Sequence, residues 1–179
     1  HVGVVYQFGE IVGQKEEGLQ FIAPWQEIRK ESVQVQRHRF DNITAFSAET
    51  QDVFVIATVN YSVSPSAVQK LYREVGRNWF DILIEPRVLN FFKEETVKYE
   101  TVDVGPERET IRNAVQSRLA SELAPYSIQV NALLIDNIDF SPEFKQAIEQ
   151  KQVATQDALR EQEKVKQKQF EAEQAVETA

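Results

Sequence analysis

The sequence has no cysteine. That excludes disulfides, thiolate nucleophiles, zinc–thiolate centres and S-palmitoylation, while leaving the compartment open. It has no methionine and begins at His1, so a processed protein or a fragment is expected, with residues missing before His1 and after Ala179. Histidine occurs twice, at His1 and His38. With no His cluster and no thiol, a metal or nucleophilic site would depend on carboxylates or lysine alone. The six glycines are scattered and form no phosphate-cradling loop. No uncharged apolar run approaches the roughly 18 residues of a transmembrane helix. Positive charge is outnumbered, with 20 Lys and Arg against 28 Asp and Glu, for a formal net charge of −8. A chain this acidic is poorly suited to nucleic acid, whose counterions must be displaced by Lys and Arg. It is equally unsuited to electrostatic adhesion on an anionic lipid surface.

What the sequence does contain is most distinctive in its last third. Beyond Pro142 there is neither Gly nor Pro, and Gln, Glu, Lys and Ala dominate. The run predicts one helix over 142–179, with Pro142 in the first turn, where a missing N–H costs nothing. At 1.5 Å per residue it would reach roughly 50 Å. A helix this polar needs neighbours to persist. Ile148, Leu159 and Phe170 recur every eleven residues, as do Ala154, Val165 and Val176. An eleven-residue repeat closes three turns, so each set is a straight stripe, and the two stripes lie well over 90° apart. Such a helix can take a neighbour on each side, like a stave in a barrel. A two-stranded coiled coil or a solvated tail fits the same composition.

The preceding residues predict an α+β domain over 1–141, with a mostly antiparallel sheet and helices packed on it. Val2–Phe8, Ile11–Val12 and Leu19–Ile22 read as a hairpin or meander, broken by Ala23-Pro24-Trp25. Ile28–Phe40 alternates and reads as one half-buried strand with Val33 and Val35 on a common face, followed by a turn at Asp41-Asn42. Val53–Val63 is the clearest strand, with Val53, Val55, Ala57, Val59, Tyr61 and Val63 on one side. Helices are expected over Val68–Val75, ended by Gly76, over Asn78–Tyr99 with a break at Pro86, and over Asp103–Ala124. Ile111, Val115, Leu119 and Leu123 form a core-facing line on the last. Ser127–Phe140 returns to strand, placing Ile128, Val130, Ala132, Leu134, Ile138 and Phe140 on one face with Asp136 among them. There is no internal repeat.

Asp136 is the one unusual acid, a candidate buried carboxyl or a residue at a sheet edge or against an Arg. Asp139 has opposite parity and cannot pair with it. Glu94-Glu95 and Glu107/Glu109 are adjacent or helix-surface acids. No catalytic, cofactor-binding or metal-binding set emerges, and no enzyme activity is expected.

Several segments, in order, resemble the SPFH superfamily (stomatin, prohibitin, flotillin), and its prohibitin branch most. Gly3-Val4-Val5-Tyr6-Gln7-Phe8-Gly9 resembles the family's opening strand. Glu17-Gly18-Leu19-Gln20-Phe21-Ile22-Ala23-Pro24-Trp25 resembles its "PGLHF-x-x-PW" segment. Asp81-Ile82-Leu83-Ile84-Glu85-Pro86 resembles its Pro-containing helix, and Glu107-Arg108-Glu109 the start of the next. The stretch from Ser141-Pro142-Glu143-Phe144 to Val153-Ala154 is similar to the prohibitin junction between domain and coiled coil. Thr50-Gln51-Asp52 departs from the family's "TKD" connector in lacking Lys. The resemblance implies a membrane-associated scaffold that oligomerises, with itself or with a paralogue, into a large ring or cage organising a membrane microdomain and enclosing membrane proteins. Its anchor would lie outside this chain, in a bacterial cell membrane or a mitochondrial-type inner membrane. The alternative it implies is a regulatory docking module for a membrane-bound AAA protease, acting as a small coiled-coil oligomer. No cofactor and no nucleic acid enter either expectation.

Phe21, Ile22 and Trp25 surround Pro24 at a predicted turn. They fit contact with membrane lipid, where Trp favours the interface. They fit equally an inward-turned plug for the end of the core.

Overall fold

A computed structural model describes residues 1–178. It divides into two compact units, His1–Asp139 and Phe140–Ala179. The first carries two three-stranded sheets and the helices between them.

In the first sheet, β1 (Val2–Gln7) lies between β2 (Glu10–Lys15) and β3 (Gln26–Glu31), antiparallel to both. Val2, Val4 and Val5 are buried. The β1–β2 register ends at Gln7 opposite Glu10, leaving Phe8-Gly9 as a two-residue loop. Their φ values, 49° and 86°, are both positive, as a type I′ turn requires. Since β2 and β3 run parallel to each other, residues 16–25 must return the length of the sheet, and they hold no strand. The strand expected at Leu19–Ile22 is therefore absent: both edges of β1 are already taken.

The strand expected over Ile28–Phe40 is two strands in different sheets. β3 ends at Glu31, residues 32–35 cross over, and β4 (Gln36–Phe46) opens the second sheet. Gln36 Nε2 donates to the Ser32 carbonyl across this link at 3.1 Å. The turn expected at Asp41-Asn42 is instead a bulge within β4. Phe40 faces Ala57 and Ile43 faces Val55, so one extra residue shifts the phase and both side chains reach the core. The partner strand β5 (Asp52–Val63) buries Val53, Val55, Ala57, Val59, Tyr61 and Val63, as alternation predicts.

β6 (Ile128–Phe140) takes the other side of β5. Hydrogen bonds from Thr58 to Asp136 and from Ser62 to Asn131 show that the two strands run antiparallel. The expected single apolar face is not kept. Ile128 is buried, but further along Leu133 and Ile135 take the core while Leu134 is exposed. Asp136 follows Leu134 to the outside and accepts from Thr58 Oγ1 at 2.6 Å; it is a surface acid, not a buried one. On β6, the Leu133 N–H donates to Gln116 Oε1 and the Ile135 carbonyl accepts from Arg108 Nη2. Those contacts occupy backbone groups that could otherwise recruit another strand.

The connecting helices cover the inner face. α1 (Val68–Glu74) stops at Gly76, whose φ of +113° suits a residue without Cβ. A π-helical turn, Phe80–Ile84, leads into α2 (Glu85–Thr96). Pro86 sits in the first turn of α2, and the wider turn ahead of it absorbs the break that a ring without N–H imposes. The helix expected from Asp103 is two pieces, α3 (Thr101–Val104) and α4 (Arg108–Leu123), with Pro106 between them. Ile111, Val115, Leu119 and Leu123 are buried, as are Ile84, Val88, Phe91 and Phe92. One carboxylate fastens the sheet to the helices. Glu31 Oε2, at the end of β3, accepts from Tyr72 Oη at 2.6 Å and from Trp79 Nε1 at 3.3 Å.

The second unit is α5 (Pro142–Glu177), a helix of 36 residues. Ser141 caps it by accepting from the Phe144 N–H at 3.3 Å, and Pro142 and Glu143 occupy its first turn. The rings of Phe140 and Phe144 lie 5.5 Å apart.

Candidate functional site

The described residues carry unusual surface in two places: the 16–25 connection with the β1–β2 turn that its end meets, and α5. At the first, the 16–25 connection leaves Phe21 85% exposed and Trp25 59% exposed, with Ile22 and Leu19 also in solvent. The inward-turned plug is thereby ruled out for Phe21 and Trp25. A turn fixes the approach to β3: the Gln26 N–H donates to the Ala23 carbonyl at 3.0 Å and Gln26 Oε1 accepts from the Ala23 N–H at 3.0 Å. Gln26 Nε2 then donates to Gln7 Oε1 at 3.2 Å, tying the connection to β1.

That tie places the β1–β2 turn beside Trp25. Phe8, Trp25, Tyr6, Glu27, Arg29 and Arg77 line one open cleft. Glu27 and Arg29 form an ion pair within it. Phe8 was not among the residues singled out from sequence. The available signal was an aromatic residue directly before Gly9, between two β-branched runs, where a two-residue turn ordinarily takes Asn, Asp or Gly.

Along α5 no residue is buried. Leu159, Val165 and Val176 are more than half exposed, Phe170 is 62% exposed, and Ala154 is exposed; Ile148 is half-buried. Val153, outside both stripes, adds another exposed apolar side chain. Five of the six stripe residues stand exposed on α5, with nothing among the described residues to cover them. No helix among the described residues is long and apolar enough to cross a membrane.

Comparison with known proteins places this architecture. The sequence model of the SPFH domain / Band 7 family matches residues 1–177. Curated relatives include Prohibitin-1 of Colletotrichum higginsianum, 29% identical over 86% of this chain and 57% of its own length. Prohibitin-2 of Schizosaccharomyces pombe is 26% identical over 80% of this chain and 50% of its own. Prohibitin 1 of Mus musculus is 23% identical over 80% and 53%. The chain thus spans about half the length of the curated relatives it matches. The chain belongs to the SPFH domain / Band 7 family, and within it its similarity is to the prohibitins.

Proposed function

We propose that this chain is the SPFH portion of a membrane-associated, non-enzymatic scaffold that assembles side by side through α5 into a ring or cage. The observation that carries this reading is a 36-residue helix with no buried residue and apolar side chains in two eleven-residue stripes. A lone helix of this composition leaves those side chains in water. A neighbour on each side covers both stripes. The relatives support a second subunit type, because Saccharomyces cerevisiae contributes both a Prohibitin-1 and a Prohibitin-2 to the matches.

Membrane contact falls to Phe21, Ile22 and Trp25 in this reading. Three apolar residues at roughly 1.5–3 kcal/mol each give weak single-site binding after ordering costs. Many copies on one rim make the contact strong through avidity. The chain in its assembled form is expected to float with phospholipid vesicles, and residues 1–139 alone to float poorly. Equal flotation of the wild type and a Phe21→Ser/Trp25→Ser double variant would remove the loop from this role.

A further inference from the structure

We propose that the Phe8-Gly9 hairpin tip, with Trp25 beside it, is a wedge that enters the interfacial layer of a phospholipid bilayer, while Arg77 holds lipid phosphate beneath it. This rests on the membrane reading above and adds to it a second element and a headgroup site.

The starting point is a turn that works against itself. Type I′ turns favour Asn-Gly because both central residues need positive φ. Here the first position is Phe8, at φ +49°, a region that disfavours bulky side chains. Nothing in the fold offsets that choice, because Phe8 is 83% exposed. A large apolar ring that weakens its own turn and covers no core has its use outside the chain. Gln7 pairs with Gln26 at the end of the β1–β3 ladder, so Phe8 and Trp25 sit one step beyond it, both exposed and both on the rim of the same cleft. An apolar ring and an indole projecting from one tip match a medium that is apolar within and wet at its boundary.

The cleft's charge is complementary to that boundary. Although the chain is acidic overall, the cleft carries two guanidiniums, Arg29 and Arg77, against one carboxylate, Glu27. Glu27 engages Arg29, which leaves the Arg77 guanidinium of the cleft for a phosphate. A phosphodiester carries one negative charge and accepts hydrogen bonds in the planar geometry that a guanidinium presents.

The test uses the full chain, vesicles of phosphatidylcholine with a minority of phosphatidylglycerol, and a Phe8→Asn substitution. Asn suits the turn and removes the ring, so stability and binding should move in opposite directions. Tm is expected to hold or rise, while vesicle partitioning falls about tenfold, the loss of one buried aromatic side chain. Lipids carrying shallow doxyl quenchers should dim Trp25 in the wild type and much less in Phe8→Asn; Trp79, which is buried, supplies a constant background. Arg77→Gln should weaken partitioning about threefold. Wild-type partitioning by Phe8→Asn, or a lowered Tm, would overturn the wedge. If partitioning were then still lost in Phe21→Ser/Trp25→Ser, the broader membrane reading would stand without it. Failure of the wild type to bind at all would remove both.

Discussion

Glutamate in place of Leu159 or Phe170 is expected to reduce the assembly to single chains or small oligomers, while the unit of residues 1–139 unfolds at its usual temperature. Both side chains lie on one stripe of α5 and are more than half exposed, so neither contributes a core that the helix could lose. In an assembly, the neighbour that covers them removes roughly 1.5–3 kcal/mol of apolar exposure per side chain. A Glu at the same place forfeits that gain and puts a carboxylate into a desolvated seam. A combined loss of about 3 kcal/mol per interface weakens each contact more than a hundredfold. Mass measurement by light scattering reads the outcome directly, with circular dichroism reporting the helix. An unchanged assembly mass in both variants would remove the stave role of α5.

Removing the carboxylate of Glu31 is expected to be the costliest single polar change in the domain. Glu31→Ala leaves the Tyr72 hydroxyl and the Trp79 N–H without the acceptor they share. Trp79 is 3% exposed, so water cannot fully replace it. Each stranded donor costs about 1–3 kcal/mol, which puts the loss for the two at about 2–6 kcal/mol. Urea unfolding followed by Trp emission measures it; a loss under about 0.5 kcal/mol would show the clasp to be incidental. The same clasp has a pH signature. Burial raises the Tyr72 pKa well above its ordinary value of 10.0, and the hydrogen bond to Glu31 and the Glu31 charge raise it further. Tyr61 is raised too, by burial first and then by Glu31 and Asp81. A phenol whose folded pKa exceeds its unfolded pKa contributes stability that is whole below about pH 10 and is lost as pH rises toward the folded value. Wild-type stability should therefore fall above about pH 10, and Glu31→Ala should fall less steeply there.

The two sheets show where the sequence is legible and where it is not. β5 could be read directly, because every second residue from Val53 to Val63 is buried. β4 could not, because its bulge at Asp41-Asn42 exchanges the parity of the buried set, and in sequence that looks like a turn. The separation of β3 from β4 is equally hidden: Val33 and Val35 continue the alternation through residues 32–35, although these pair with no strand. In β6 the buried parity changes before Leu133, which moves Asp136 from the expected apolar face to the surface. Each miss concerns which partner a strand finds, and that is decided by contacts distant in sequence. The helices fared better because caps and prolines act locally: Gly76, Pro86, Ser141 and Pro142 mark ends that the structure keeps. α5 was legible through its lack of Gly and Pro and its eleven-residue spacing. Phe8 was legible only as an aromatic residue before Gly9; the registers of β1 with β2 and β3 are what put it in a turn position that favours Asn and beside Trp25.

The most direct test of the scaffold reading is negative-stain electron microscopy of the full-length protein extracted in mild detergent. Assembly through α5 predicts closed rings or cages of uniform size, with the long helices forming the wall. Particles of only one to four subunits would contradict it and leave α5 as an ordinary coiled coil.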